Sequence, residues 1–241
     1  MTSRDAAIAP QVYARIGGVL YLVIIVAGLF GEMVVRNSLV VSGDAAATAN
    51  NILGSELLWR AGIAGDLIMH VCDVPLMLIF YVLLRPVDRN LALLALLFTF
   101  VQSAALVATK LNMFAPLSLL SDAAYLKAFD PEQLQAMAYL SIKADSYGFG
   151  VGLIFFGFAC LVMGYLIFRS GYFPKIIGVL MQLAGLAYLV NSFALILAPA
   201  VANALFPAIL LPAFVGELSF CLWLIFKGVN VARWNERVSA A

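Results

Sequence analysis

AGIAGDLIMHVCDVPLMLIFYVLL, residues 61–84, is the stretch from which the fold can be read. As a helix rising about 1.5 Å per residue it reaches across a hydrocarbon core of about 30 Å. A strand lying in lipid would alternate apolar and polar residues, and this run does not, so a spanning helix is predicted and a barrel excluded. Three ionisable side chains interrupt the run: Asp66, His70 and Asp73. Their spacing of i, i+4 and i+7 puts all three on one face of that helix.

Five further runs share this character: 16–35, 91–111, about 147–168, 176–197 and 208–227. Hydrophobic residues make up 64% of the 241 and charged residues 11%, with a mean hydropathy of +1.03. A soluble domain carries about 25% charged residues, so a soluble globule is excluded. A formal net charge of +1 without a basic stripe excludes nucleic acid as a partner and leaves membrane lipid. The fold class expected is all-α: a polytopic membrane helical bundle of about six transmembrane helices, with amphipathic helices in the outer loops. The whole chain, 1–241, reads as a single integral-membrane domain with tails at 1–14 and 228–241. The first run has an apolar core too long for the roughly 7–15 residues of a signal-peptide h-region, so it reads as an uncleaved span.

With the N-terminus placed in the cytoplasm, Lys and Arg divide nine inside to five outside. By the positive-inside rule both termini are expected in the cytoplasm of a bacterial inner membrane. The two inner connections are tight. Arg85-Pro86 ends the second span and Asp88 caps the third. Gly171 suits a helix C′ position and Pro174 the first turn of the fifth span. Tyr172 and Phe173 are expected among the interfacial belt aromatics. Of the outer connections, 44–58 reads as a short amphipathic helix. Asp130-Pro131-Glu132-Gln133 reads as the capped start of a helix that meets no further proline before Phe168, roughly 55 Å long. Gly148 and Gly150 are expected to bend it.

Ionisable residues in spans cost about 2.5–3.5 kcal/mol each on insertion scales, so each needs a reason. In the predicted orientation nearly all of them fall in the outer half, which predicts an outward-facing polar pocket above a dry cytoplasmic side. The residues placed there for pocket formation or for ion or proton binding are Glu32, Asp66, His70, Asp73, Gln102, Lys110, Asn191 and Glu217. Lys143 and Asp145 lead into the fourth span. His70 is the titratable switch near neutral pH. Asp73 and Glu217 lie near the midplane with few counter-charges, so one of them is expected to hold a proton or the pair a cation. The structural alternative is that these groups only bond helix to helix. Trp59, Trp223 and Trp234 read as belt or packing aromatics, and Cys72, Cys160 and Cys221 as small buried hydrophobes.

Three functions fit this pattern. The first is a pocket that binds or translocates a small solute, a proton or a lipid headgroup. The second is an intramembrane enzyme acting on a lipid or isoprenoid, with an Asp or Glu as general acid. The third is a non-catalytic assembly or stress-adaptation protein. Walker A, GxSxG and HExxH segments are absent, a single histidine excludes a multi-histidine zinc site, and no metal, cofactor or catalytic residue is assigned. Residues 15–20 and 65–67 find weak echoes at 175–180 and 216–218, in the sense of a parallel repeat.

Four stretches together carry a family resemblance: ARIGGVLYLVIIVAGLFGE at 14–32, LLRPVDRNLALLALL at 83–97, GFGVGLIFFGFACLVMGYLIFRSGYFPKIIGVL at 148–180 and GELSFCLWLIFKGV at 216–229. The chain resembles a bacterial integral-membrane family catalogued as a domain of unknown function, number four-three-eight-six. The resemblance covers nearly the whole chain and implies a multi-helix inner-membrane protein. It carries no catalytic residues with it.

Overall fold

The computed structural model describes residues 10–240. The first part of the expected N-terminal tail, with Arg4, and Ala241 lie outside the described residues. Six helical stretches are long and apolar enough to cross a membrane: Pro10–Leu39, Glu56–Leu84, Arg89–Leu119, Pro131–Ser170, Lys175–Leu197 and Ala208–Phe226. Each contains or closely matches one of the six predicted runs, and no strand occurs among the described residues. The protein is a polytopic helical bundle.

The first stretch is α1 (Pro10–Leu29), a π-helical turn (Phe30–Arg36) and a last α-turn (Asn37–Leu39). The others are α2 (Ala45–Gly54), α3 (Glu56–Leu84), α4 (Arg89–Thr109), α5 (Leu111–Leu119), α6 (Pro131–Ser170), α7 (Lys175–Leu197), α8 (Pro199–Leu205), α9 (Leu211–Phe226) and α10 (Val231–Ser239). Local chemistry sets the ends. Asp44 caps α2 by accepting from the Ala47 amide at 2.8 Å, and the predicted helix at 44–58 breaks at Ser55, where α3 takes over. The Asp130 amide donates to Gln133 Oε1 at 3.1 Å, one half of a capping box. Asp88 Oδ1 accepts from the Leu91 amide at 3.0 Å. Gly171 has φ +78°, which a C′ residue needs.

Two expectations, on Tyr172 and Phe173 and on Pro174, need correction. Gly148 and Gly150 lie within an uninterrupted α6, and both stand at close approaches. A Cβ on Gly148 would stand 2.1 Å from Thr109 Cγ2, and one on Gly150 2.6 Å from Leu195 Cδ2. Tyr172 and Phe173 are buried against protein. The Tyr172 hydroxyl donates to the Leu83 carbonyl at 2.6 Å, burial pushes its phenol above the ordinary value of 10, and Phe173 meets Phe220 edge-on. Pro174 stands just before α7 rather than in its first turn.

The chain sorts into two compact units. One holds the described residues up to Val23, Cys72–Ser103 and those from Gly150 onward. Its core includes an aromatic group of Tyr21, Phe80, Phe173 and Phe220. The other, the charged unit, holds Ile24–Val71 and Ala104–Phe149. It packs Val35, Leu39, Ile52, Trp59, Ile63, Met113 and Ile142 together. Trp59 is fully buried there and donates its indole N–H to the Met113 carbonyl at 2.9 Å, a packing role rather than a belt one. On α3 itself, Ile68, Val71 and Leu78 are exposed along one stripe, on the side away from Asp66 and His70, as a lipid-facing surface requires.

Candidate functional site

The site begins with a backbone irregularity. The π-helical turn Phe30–Arg36 carries Glu32 and Arg36, and such turns within α-helices occur frequently at functional sites. Arg36 Nε donates to Glu32 Oε2 at 2.7 Å. The other side of the same guanidinium reaches α3, where Arg36 Nη1 donates to Asp66 Oδ2 at 2.7 Å. Lys110, at the junction of α4 and α5, brings its Nζ to 3.2 Å from the same Asp66 oxygen. It also donates to Asp145 Oδ2 on α6 at 2.9 Å. Glu32, Arg36, Asp66, Lys110 and Asp145 thus form one continuous chain of alternating charge.

The chain of charges is closed. Asp66 is 1% exposed, Lys110 3% and Asp145 4%, whereas Glu32, at the far end, has a side chain 52% exposed. Burial at this depth is tolerable because each charge meets an opposite one. Space for the Asp66 carboxylate is left by Gly31, where a Cβ would stand 2.6 Å from Asp66 Oδ1 and 2.9 Å from Arg36 Nη2. His70 is also buried, one turn beyond Asp66 on α3. Among the described residues, one atom of the network finds no donor: Asp145 Oδ1 is buried and accepts no hydrogen bond.

The remaining candidates lie in the other unit. Ser103 Oγ donates to Asp73 Oδ2 at 2.9 Å, with the neighbouring Gln102 Oε1 at 3.5 Å from that hydroxyl. The Tyr188 hydroxyl donates to Glu217 Oε1, and Asp73 and Tyr21 interact electrostatically with Glu217. Asn191 is half-buried on α7, next to the fully buried Ser192. The eight sequence candidates therefore divide into two sets. Glu32, Asp66, His70 and Lys110 belong to the charged unit, and Asp73, Gln102, Asn191 and Glu217 to the other.

The family described as Domain of unknown function (DUF4386) matches residues 16–228. The chain belongs to this family. It is also similar to a protein of Archaeoglobus fulgidus, described as an uncharacterized protein, at 30% identity over 166 residues, or 69% of this chain and 83% of the relative. No solved structure matches.

In this DUF4386 protein, sequence reading left Arg36 and Asp145 outside the candidate set, although they complete the network. Arg36 carried a usable signal, since it stands four residues after Glu32. Asp145 carried a weaker one, as an acid leading into the fourth span, but its partner Lys110 is 35 residues away. Tyr188 and Ser103, which bond the two midplane acids, were also missed. Among the described residues no group of three or more His, Cys, Asp or Glu is placed to hold a metal ion. The Asp66 network itself offers three carboxylates, one guanidinium and one ammonium, with the His70 imidazole one turn away on α3.

Proposed function

We propose that this is a prokaryotic cell-membrane protein, with both termini in the cytoplasm, which binds and releases a proton at the network around Asp66. The proton is chosen from the three ligands the sequence admits because the site is packed. Side chains exposed by only a few per cent leave no room for a lipid headgroup or a solute of several atoms beside Asp66.

The observation that carries the reading is Asp145 Oδ1. A buried acceptor without a donor costs about 1–3 kcal/mol, and more when charged. A proton on that oxygen removes the charge. The charge count agrees. Glu32, Asp66 and Asp145 face Arg36 and Lys110, so the network is one positive charge short of balance. A proton on a carboxylate supplies it, and so does one on the imidazole of His70.

The test is proton uptake by the purified full-length protein in detergent, measured between about pH 5 and about pH 8, the range in which a histidine switch acts. Wild type is expected to take up about one more proton than Asp145→Asn or His70→Gln, or both. Asp145→Asn is the informative variant because Lys110 keeps Asp66 as a partner and the fold is retained. Equal uptake by wild type and both variants would leave the network a structural clamp and remove the reading. If the network also moves protons, proteoliposomes with a pH gradient will dissipate it faster with wild type than with Asp145→Asn.

A further inference from the structure

The tight turns at 85–89 and 169–175, with the segment 227–237, carry seven Lys and Arg against two acids, Asp88 and Glu236. All belong to one compact unit, and α10 is fastened to both turns. Its cap residue Asn230 donates its amide to the Tyr172 carbonyl at 3.3 Å. Arg233 Nη1 donates to the Gly171 carbonyl at 3.1 Å. The Trp234 indole donates to the Leu83 carbonyl at 3.3 Å. Leu83 also accepts from Tyr172, so one carbonyl at the end of α3 ties the second turn and α10 to the first.

The sequence of α10 has two faces. Val231, Trp234 and Val238, at i, i+3 and i+7, form an apolar stripe, with Val231 and Val238 exposed. Arg233, Glu236 and Arg237 occupy the polar side. A helix of this kind lies in the plane of a membrane surface, with its apolar stripe among the acyl chains and its basic residues among the headgroups. A cavity of ≈ 230 Å³ opens beside it, lined by Pro86, Val87, Arg237 and Ala240. Among the described residues Arg237 is its one charged lining residue, and it is half-buried. A guanidinium there offers the paired donors that a phosphodiester accepts, and Pro86 and Val87 offer an apolar wall.

We propose that α10 and the two tight turns form a binding site for the headgroup of an anionic phospholipid, with its phosphodiester on Arg237. A zwitterionic headgroup brings its own ammonium into a surface that is already positive, so the site discriminates by net charge. This assignment is independent of the Asp66 network.

Native mass spectrometry of the full-length protein in detergent tests it, with phosphatidylglycerol and phosphatidylcholine of identical chains as probes. Each Lys or Arg near a membrane surface contributes about 1 kcal/mol of attraction to anionic lipid, about fivefold in affinity. Wild type is expected to prefer phosphatidylglycerol at least fivefold. Arg237→Gln should lower that preference about fivefold and Arg237→Lys by much less, with phosphatidylcholine binding unchanged in both. Arg60→Gln, in the other unit, should leave the preference intact. Equal binding of the two lipids by wild type overturns the proposal, as does a preference that survives Arg237→Gln. Displacement of phosphatidylglycerol by excess inorganic phosphate would identify a site for free anions and equally overturn the lipid assignment. Should Arg237→Gln not fold, Arg233→Gln reads the same surface, with the same expected and contrary results.

Discussion

At the scale of single residues, the unusual fact is a carboxylate 1% exposed in a chain built for lipid. Asp66 tolerates this because one of its oxygens meets both Arg36 and Lys110, and because the residue facing it on the first span has no side chain. Breaking a buried pair by removing one partner costs about 3–5 kcal/mol, since it strands the other charge. Intruding on the pair should cost less and read more cleanly. Gly31→Ala places a methyl 2.6 Å from Asp66 Oδ1, closer than such contacts allow, and overpacking of this kind costs about 1–3 kcal/mol. Thermal unfolding in detergent should show that loss. Gly54→Ala, with nothing within 4 Å of the new methyl, should stay within about 0.5 kcal/mol of wild type. Equal midpoints for all three proteins would mean that the network yields readily and Gly31 has no positioning role. Asp66 itself was legible from sequence, because an acid inside a 24-residue apolar run has to be satisfied by something. What satisfies it was not legible. Hydropathy gives the depth of a residue along its helix and says nothing of which neighbouring helix it faces.

Pairing of elements shows the same limit. All six spans could be read as apolar runs, and their capped ends as Asp44, Asp88 and Gly171, because those signals are local. The π-helical turn could not, since nothing in FGEMVVR distinguishes it from ordinary helix. Nor could the contact of α6 with α7. Gly157 and Gly164 on α6, seven residues apart, oppose Gly185 and Gly178 on α7. A Cβ on Gly164 would stand 2.6 Å from the Gly178 carbonyl oxygen, one on Gly178 equally close to that of Gly164, and one on Gly185 2.6 Å from that of Gly157. Apolar side chains gain little from leaving lipid for a neighbouring helix, so backbone approach at small residues is what joins spans. Glycine pairs at heptad spacing keep the two seams facing each other over successive turns. Gly164→Leu or Gly178→Leu should therefore abolish a monodisperse peak on size exclusion in detergent. Gly65→Ala, whose new methyl meets Phe30 at an ordinary 3.6 Å, should leave that peak unchanged. A monodisperse Gly164→Leu protein would show that α6 and α7 are held together by other contacts.

For the whole molecule the governing quantity is length against bilayer thickness. The 40 residues of α6 make a helix of about 60 Å, while a bilayer with its headgroups is about 40–45 Å thick. At least one end must stand clear of the membrane, and charge distribution decides which. Arg169 and Lys175 flank its C-terminal end, close to the turn that holds α10, and Asp130, Glu132 and Gln133 surround its start. In the orientation proposed above, which follows the positive-inside rule, the basic end lies in the cytoplasm and the start of α6 is expected to project on the outer side. Two introduced cysteines test this, each in a protein with Cys72 replaced by Ser, because Cys72 is the one native thiol that is not buried. Ala136→Cys, at an exposed position early in α6, should react with a membrane-impermeant maleimide in intact cells. Asn235→Cys, exposed on α10, should react only after the membrane is opened. The opposite pattern would turn the molecule over. The half-exposed Glu32 end of the Asp66 network would then meet the cytoplasm, and protons would enter the site from inside the cell. The lipid site on α10 would face the outer leaflet, away from the more anionic cytoplasmic surface that its arginines suit.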